Sequence, residues 1–167
     1  MKRLIVMRHA KSSWSEPGLE DHQRPLNKRG KRDAPRIAAR LLELGWSAEQ
    51  VVSSDSQRTR QTWALMAPVW AKAAPQNITF TRALYLAGPF EIDKVVRQLP
   101  QSVHSVLLLG HNPGWESSIG WLSGQHQPMT TANAALLSID RPTWASALDD
   151  AGQWTLHQVV RPKELDD

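Results

Sequence analysis

Two stretches of buried-strand character constrain this chain more than anything else in it. Residues 4–7 (Leu-Ile-Val-Met) and 105–109 (Ser-Val-Leu-Leu-Leu) lack the apolar–polar alternation of a half-exposed strand. A strand loses that alternation when both its faces are covered, so both runs are expected inside a sheet flanked by helices. Each run stops abruptly, at Arg8-His9 and at Gly110-His111, and each is followed by a loop and then a helical pattern or polar segment. In open α/β sheets the carboxyl ends of the strands are where ligands bind. The two histidines are therefore expected on one edge of the sheet.

The intervening segments fit the same plan. A helical pattern begins at Asn27, with Ile37, Leu41, Leu42 and Leu44 on one face and Gly45 placed to end it. Pro35 leaves two solutions: a helix capped by Asp33 with the proline in its first turn, or a longer helix from Asn27 that is kinked there. Residues 51–53 read as a second strand. Ser54, Asp55 and Ser56 are candidate caps for the helix that follows, which carries Trp63, Leu65, Met66, Val69 and Trp70 and has Arg58 in its first turn. A short strand at 78–80, an ambiguous Leu84-Tyr85-Leu86, a helix over 91–99, a helix through Ile119, Trp121 and Leu122, and strands over 134–139 and 154–160 complete the series. Residues 149–152 read as a turn between the last two. The β-α-β-α-β alternation predicts an α/β fold with a mainly parallel sheet covered on both faces, in a single domain over 1–167 whose tail from about 161 is frayed.

Composition removes whole classes of function. Cysteine is absent, which excludes disulfides, thiolate catalysis and Cys-ligated zinc. No apolar run approaches the length of a membrane span, and Lys2-Arg3 is followed by too few apolar residues for a signal peptide. A cytoplasmic protein is expected, a monomer by default. The net charge of +4 suits an anionic substrate as well as nucleic acid. Most of the eight tryptophans are expected in the core or in pocket walls.

Three strands thus deliver Arg8 and His9, Arg58, and His111 to one sheet edge. Two guanidinium groups aimed at one point repel unless an anion lies between them, and bidentate pairing to phosphate is their natural use. The first turn of the helix carrying Arg58 adds free N–H groups. The sequence has neither a Walker loop nor a GxGxxG, so the usual nucleotide cradles are not expected. The residue types point to phosphoryl transfer without metal or cofactor. Arginines neutralise the phosphoryl oxygens, one histidine attacks phosphorus, and the other donates to an oxygen that gains charge.

At these residues the chain resembles the histidine phosphatase (phosphoglycerate mutase-like) superfamily. Arg8-His9-Ala10 is similar to its RHG signature, residues 56–62 to its second arginine motif, and residues 110–114 to its second histidine motif. The short chain, Asp21 with Arg24-Pro25-Leu26 and Gly30, and Leu84-Tyr85 with Ala87 most resemble the SixA-type phosphohistidine phosphatases. The resemblance implies a three-layer α/β/α sandwich, His9 as the nucleophile that becomes phosphohistidine, and Arg8, His9, Arg58 and His111 as the phosphate pocket. Two departures stand out. Ala10 replaces a glycine. The segment Leu84-Tyr85-Leu86-Ala87-Gly88 offers no carboxylate where mutases and phosphomonoesterases of the superfamily carry a glutamate acid, and Glu91 comes too late. An imidazole leaving group needs less protonation than an alkoxide, so the missing acid favours P–N substrates.

The expected activity is a metal-independent phosphatase acting on phosphohistidine in a phosphoprotein. A small-metabolite phosphomonoesterase and a non-catalytic phosphate- or nucleic-acid-binding module are the alternatives; nucleic acid and membrane are not expected partners. Asp21 reads as a weak acid, as an orienter of an arginine, or as a turn residue paired with Arg24. Arg60 reads as a structural ion-pair residue, and His22, His104, His126 and His157 as surface or satisfied residues. The cluster Lys28-Arg29-Lys31-Arg32 reads as a solvated helix start or as a docking patch for an acidic phosphoprotein. Trp14 and Trp115 each follow a catalytic loop and read as pocket walls or as core.

Overall fold

A computed structural model describes residues 1–74 and 76–165 of the chain. Among them, six strands form one sheet: β1 (Lys2–Arg8), β2 (Gln50–Ser54), β3 (Asn77–Thr81), β4 (Ser105–Gly110), β5 (Ala134–Ile139) and β6 (Thr155–Val160). Their order is β3-β2-β4-β1-β5-β6. The pairs from β3 to β1 are parallel, and β5 and β6 add antiparallel on the other side of β1. Helices α1 (Lys28–Glu43) and α2 (Gln57–Trp70) cover one face; α3 (Pro89–Arg97), α4 (Gly114–Ser123) and α5 (Trp144–Asp149) cover the other. This is a three-layer α/β/α sandwich with a mainly parallel sheet.

The continuous apolar runs are the spine of this sheet because each feeds two cores. Leu4 and Val6 pack with Ile92, Ile119 and Trp144, whereas Ile5 and Met7 pack with Ile37, Met66 and Trp70. The same split divides Val106 and Leu108 from Leu107 and Leu109. Each such side chain contributes about 1.5–3 kcal/mol on burial, so neither face tolerates a polar residue in these runs. Tryptophans fill much of the remainder. Trp70, Trp115, Trp144 and Trp154 are buried, and each donates its indole N–H to a backbone carbonyl.

The longer of the two solutions for α1 is the one adopted. Asn27 caps it, its side-chain oxygen accepting the Gly30 N–H at 2.9 Å, and Pro35 lies inside the helix. The carbonyl that Pro35 deprives of a donor belongs to exposed Lys31, where water can reach it. Ser56 caps α2, and Gly45 follows α1 at φ 75°. Two segments differ from expectation. The link between β5 and β6 contains α5, closed by a capping box between Thr143 and Ser146. Residues 161–165 are not the frayed end expected: Pro162 is buried, Pro162–Glu164 is a turn of 3-10 helix, and Arg161 donates to Pro128 O at 2.8 Å. Residues 166–167 of that tail lie outside the described residues.

Candidate active site

Strand register brings the site together. β1 and β4 are parallel neighbours with Arg8 opposite Gly110, so His9 and His111 leave the sheet side by side. The His9 N–H donates to Gly110 O at 3.0 Å, and the two rings lie 5.3 Å apart between centroids. β2 lies on the far side of β4 and runs through Ser54 into α2, whose second residue is Arg58. Arg8, His9, Asp21, Arg24, Arg58 and His111 line one pocket of about 310 Å³, with Trp14 and Leu86 also in its wall. Gly110 permits this approach: a Cβ there would lie 2.4 Å from the Trp115 ring packed beneath the loop.

The backbone sets the tautomer of His9. Its Nδ1 lies 2.6 Å from Ala10 O, a carbonyl that can only accept, so Nδ1 carries the proton and Nε2 keeps its lone pair. Burial, with the nearby charges of Arg58, Arg8 and Arg24, lowers the His9 pKa to about 3, outweighing the Ala10 hydrogen bond. His9 is thus neutral at pH 7, the form that can attack an electrophile. The Ala10 N–H donates to Thr62 Oγ1 at 3.1 Å, tying the loop after β1 to α2.

His111 is engaged on both sides. Arg58 Nη2 donates to its Nδ1 at 3.2 Å, which leaves Nε2 to carry the proton and donate to Ser54 Oγ at 2.8 Å. Burial, then His9 and Arg58, lower its pKa to about 2. In this arrangement both ring nitrogens of His111 are engaged by the protein, Nδ1 by Arg58 and Nε2 by Ser54.

Asp21 ties two arginines and a tyrosine together. Its carboxylate accepts from Arg58 Nη2 at 2.9 Å, Arg24 Nε at 3.2 Å and Tyr85 Oη at 2.5 Å, while its carbonyl accepts from Arg58 Nη1 at 2.7 Å. Burial alone would raise its pKa; the hydrogen bonds from Tyr85, Arg58 and Arg24 and the charge of Arg58 overcome this and hold it at about 2. Asp21 is the only carboxylate among the described residues lining the pocket, and at pH 7 it has no proton to give. On the other side, Arg8 Nη1 donates to Met129 O at 3.0 Å. Glu116, which sequence reasoning passed over, accepts from the Met129 N–H and from Asn112, and so braces the segment that holds Arg8. The buried Nε–H groups of Arg8 and Arg58 have no hydrogen-bond partner among the described residues. Both arginines line the pocket, and two guanidinium groups there are suited to the oxygens of an anion.

A family model of the histidine phosphatase superfamily (branch 1) matches residues 4–80. An uncharacterized chloroplastic protein of Arabidopsis thaliana is 35% identical over 170 residues, covering 96% of this chain and 78% of the plant protein. The chain belongs to the histidine phosphatase superfamily. Among solved structures, this histidine phosphatase is similar to a candidate phosphohistidine phosphatase SixA of Agrobacterium tumefaciens, with a TM-score of 0.78, 26% identity and coverage of 96% of this chain and 98% of that one. It is similar to a second candidate SixA, from Nakamurella multipartitia, with a TM-score of 0.79, 27% identity and 96% coverage of each chain.

The remaining sequence-marked residues divide. Trp14 is 71% exposed, with the Arg24 guanidinium 3.4 Å from the centre of its ring; Trp115 is core. Arg60 makes no ion pair among the described residues: its Nε donates to Asp55 O and its guanidinium lies over Phe80. His22 is partly buried, bonded to Asp55 at 2.7 Å and packed edge-on against Tyr85. Ser54 and Glu116 have no site role in the sequence reading, and Tyr85 enters it only through the SixA resemblance. Ser54 stood in view as a candidate cap, but a strand-end serine carries no sign of a histidine on the neighbouring strand. Leu86 lines the pocket, 59% exposed and with φ 51°.

Proposed function

We propose that this phosphatase hydrolyses the P–N bond of phosphohistidine in a phosphoprotein, through a phosphoryl group carried on His9. The observation that carries the reading is the state of the pocket's carboxylate. A P–O substrate needs an acid to protonate its leaving oxygen, and Asp21, held at about 2 and bonded to Arg58, Arg24 and Tyr85, has no proton to offer. An imidazole protonated on its distal nitrogen leaves as a neutral ring and needs none.

The phosphoryl oxygens pair with Arg8 and Arg58. His9 Nε2 attacks phosphorus as the P–N bond to the substrate imidazole breaks, and that electron pair stays on the departing nitrogen. Positive charge building on His9 is stabilised by the Ala10 carbonyl at Nδ1. As Arg58 turns toward the phosphoryl group it releases His111 Nδ1. The dianion then favours a proton there, taken from solvent, and His111 holds the non-bridging oxygens, not the leaving atom, as a cation. Water attacks the phosphorus of phospho-His9, the P–Nε2 bond breaks, and its electron pair returns to Nε2 while the water proton passes to phosphate or solvent. No step requires a metal ion.

Purified protein should release phosphate from a phosphohistidine peptide faster than from a panel of sugar phosphates, and EDTA should leave the rate unchanged. Acid-labile, base-stable label from a radioactive phosphoryl donor should appear on the wild type and be absent from His9→Ala. Arg8→Ala and Arg58→Ala should each lower kcat/KM by about 10²–10³-fold, as loss of a preorganised charged donor does. A preference for sugar phosphates would identify a metabolite phosphomonoesterase instead.

A further inference from the structure

The cations at the start of α1 lie beside the catalytic pocket. Lys11 lines that pocket, and its backbone packs on Gly30 so closely that a Cβ at position 30 would lie 2.2 Å from Lys11 O. The Asn27 N–H donates to the same carbonyl at 3.0 Å. A second cleft of about 250 Å³ opens there, with Arg29, Arg32 and Lys163 around Asp33 and Thr131. Thr131 lines both clefts, so the basic one borders the pocket. Arg29 and Lys163 are exposed, and neither side chain has a hydrogen bond or ion pair among the described residues. Asp33 does not neutralise them, because it is buried and shared between Arg32 at 3.3 Å and Arg36 at 3.1 Å. No acidic residue offsets Lys28, Arg29 and Lys31 in the first turn of α1. Cations there oppose the helix dipole and one another, so helix stability does not account for the cluster.

We propose that this basic cleft seats an acidic surface of the phosphoprotein substrate while its phosphohistidine enters the adjoining pocket. The inference rests on the phosphohistidine reading above and adds the charge of the partner to it. Unpaired cations beside the pocket attract acidic side chains, speed encounter and lower KM, and do so most at low salt. A protein is favoured over a nucleic acid because the phosphohistidine that would enter the adjoining pocket is itself a protein side chain, and none of the described residues lining the basic cleft is an aromatic on which bases could stack.

The test uses the full chain and two synthetic phosphohistidine peptides that differ only in three flanking residues, aspartates in one and lysines in the other. Phosphoramidate serves as a donor without flanks. The wild type should prefer the aspartate peptide by about tenfold in kcat/KM, through KM, with the preference shrinking as salt rises. Arg29→Glu/Lys163→Glu should reverse that preference and leave phosphoramidate hydrolysis unchanged. If this variant loses phosphoramidate hydrolysis through misfolding, Arg29→Gln/Lys163→Gln decides, and it should abolish the preference. Equal hydrolysis of both peptides by the wild type, or an unaltered preference in a folded variant, overturns the docking proposal and leaves the phosphohistidine reading standing. Failure to hydrolyse either peptide while a sugar phosphate is turned over defeats both. Inhibition by a single-stranded RNA that exceeds inhibition by polyaspartate of equal charge, and disappears in the variant, would assign the cleft to nucleic acid instead.

Discussion

Asp21 joins the two arginines that reach it, Arg58 and Arg24, and the tyrosine behind them into one network. Its carboxylate stays ionised wherever the enzyme can work, held at about 2 by those partners. Because its folded pKa is depressed, its stabilising contribution is complete above the ordinary carboxylate range and fades only as pH falls toward 2. Asp21→Asn keeps the shape of the side chain and removes the charge. It should lower kcat/KM by about 10–100-fold, the worth of a charge-assisted contact to Arg58, while the pH profile keeps its form. A profile that loses its alkaline limb in this variant would make Asp21 an acid after all. Leu86 is a different kind of residue. Its φ of 51° lies in the left-handed region, and its side chain is 59% exposed, so little burial offsets the strain. Leu86→Gly should raise stability by about 0.5–1 kcal/mol, read as a higher urea midpoint at unchanged m-value.

At the scale of elements, α1 links stability to the pocket wall. Asn27→Ala removes the cap on Gly30 and should cost about 1 kcal/mol. Gly30→Ala improves intrinsic helix propensity, yet it sets a methyl group against Lys11 O. It should destabilise the protein and raise KM, because the displaced backbone carries pocket residues; chemical denaturation and steady-state kinetics check the two effects. The contrast between α1 and α5 shows what local sequence can specify. The apolar face at Ile37 and Leu41 and the glycine after the helix announced α1, although Pro35 left its start undecided until the Asn27 cap was seen. α5 is six residues long, too short for a helical period to register, and its capping box uses serine rather than glutamate at the third position. The strands showed the same limit at the sheet's edges. β3 has only a short apolar pattern because much of it is exposed.

Over the whole molecule, the buried pair His9 and His111 should govern how stability responds to pH. In the unfolded chain each imidazole takes a proton near 6.5; in the folded protein they are held at about 3 and about 2. Between those limits the unfolded state binds more protons, so stability rises with pH up to 6.5 and is level above it. Moving from pH 7 to pH 5 should cost about 2 kcal/mol per histidine, and His9→Gln/His111→Gln should flatten the thermal-melting profile over that range. Inorganic phosphate should raise the melting temperature and weaken the same dependence, since an anion between the arginines favours protonated imidazole.

What the sequence by itself determined was the set of parts: strands buried on both faces, helices between them, and polar residues stranded at strand ends, because burial and periodicity write themselves locally along a chain. Arg8, His9, Arg58 and His111 were legible for that reason. Only the tertiary structure decided which proton each histidine carries, that Arg58 bridges His111 and Asp21, that Asp21 meets the arginines as an anion, and that the basic start of α1 borders the pocket. Those properties depend on distances between segments dozens of residues apart, and a hydrogen bond or a desolvated charge exists only once such segments are packed together.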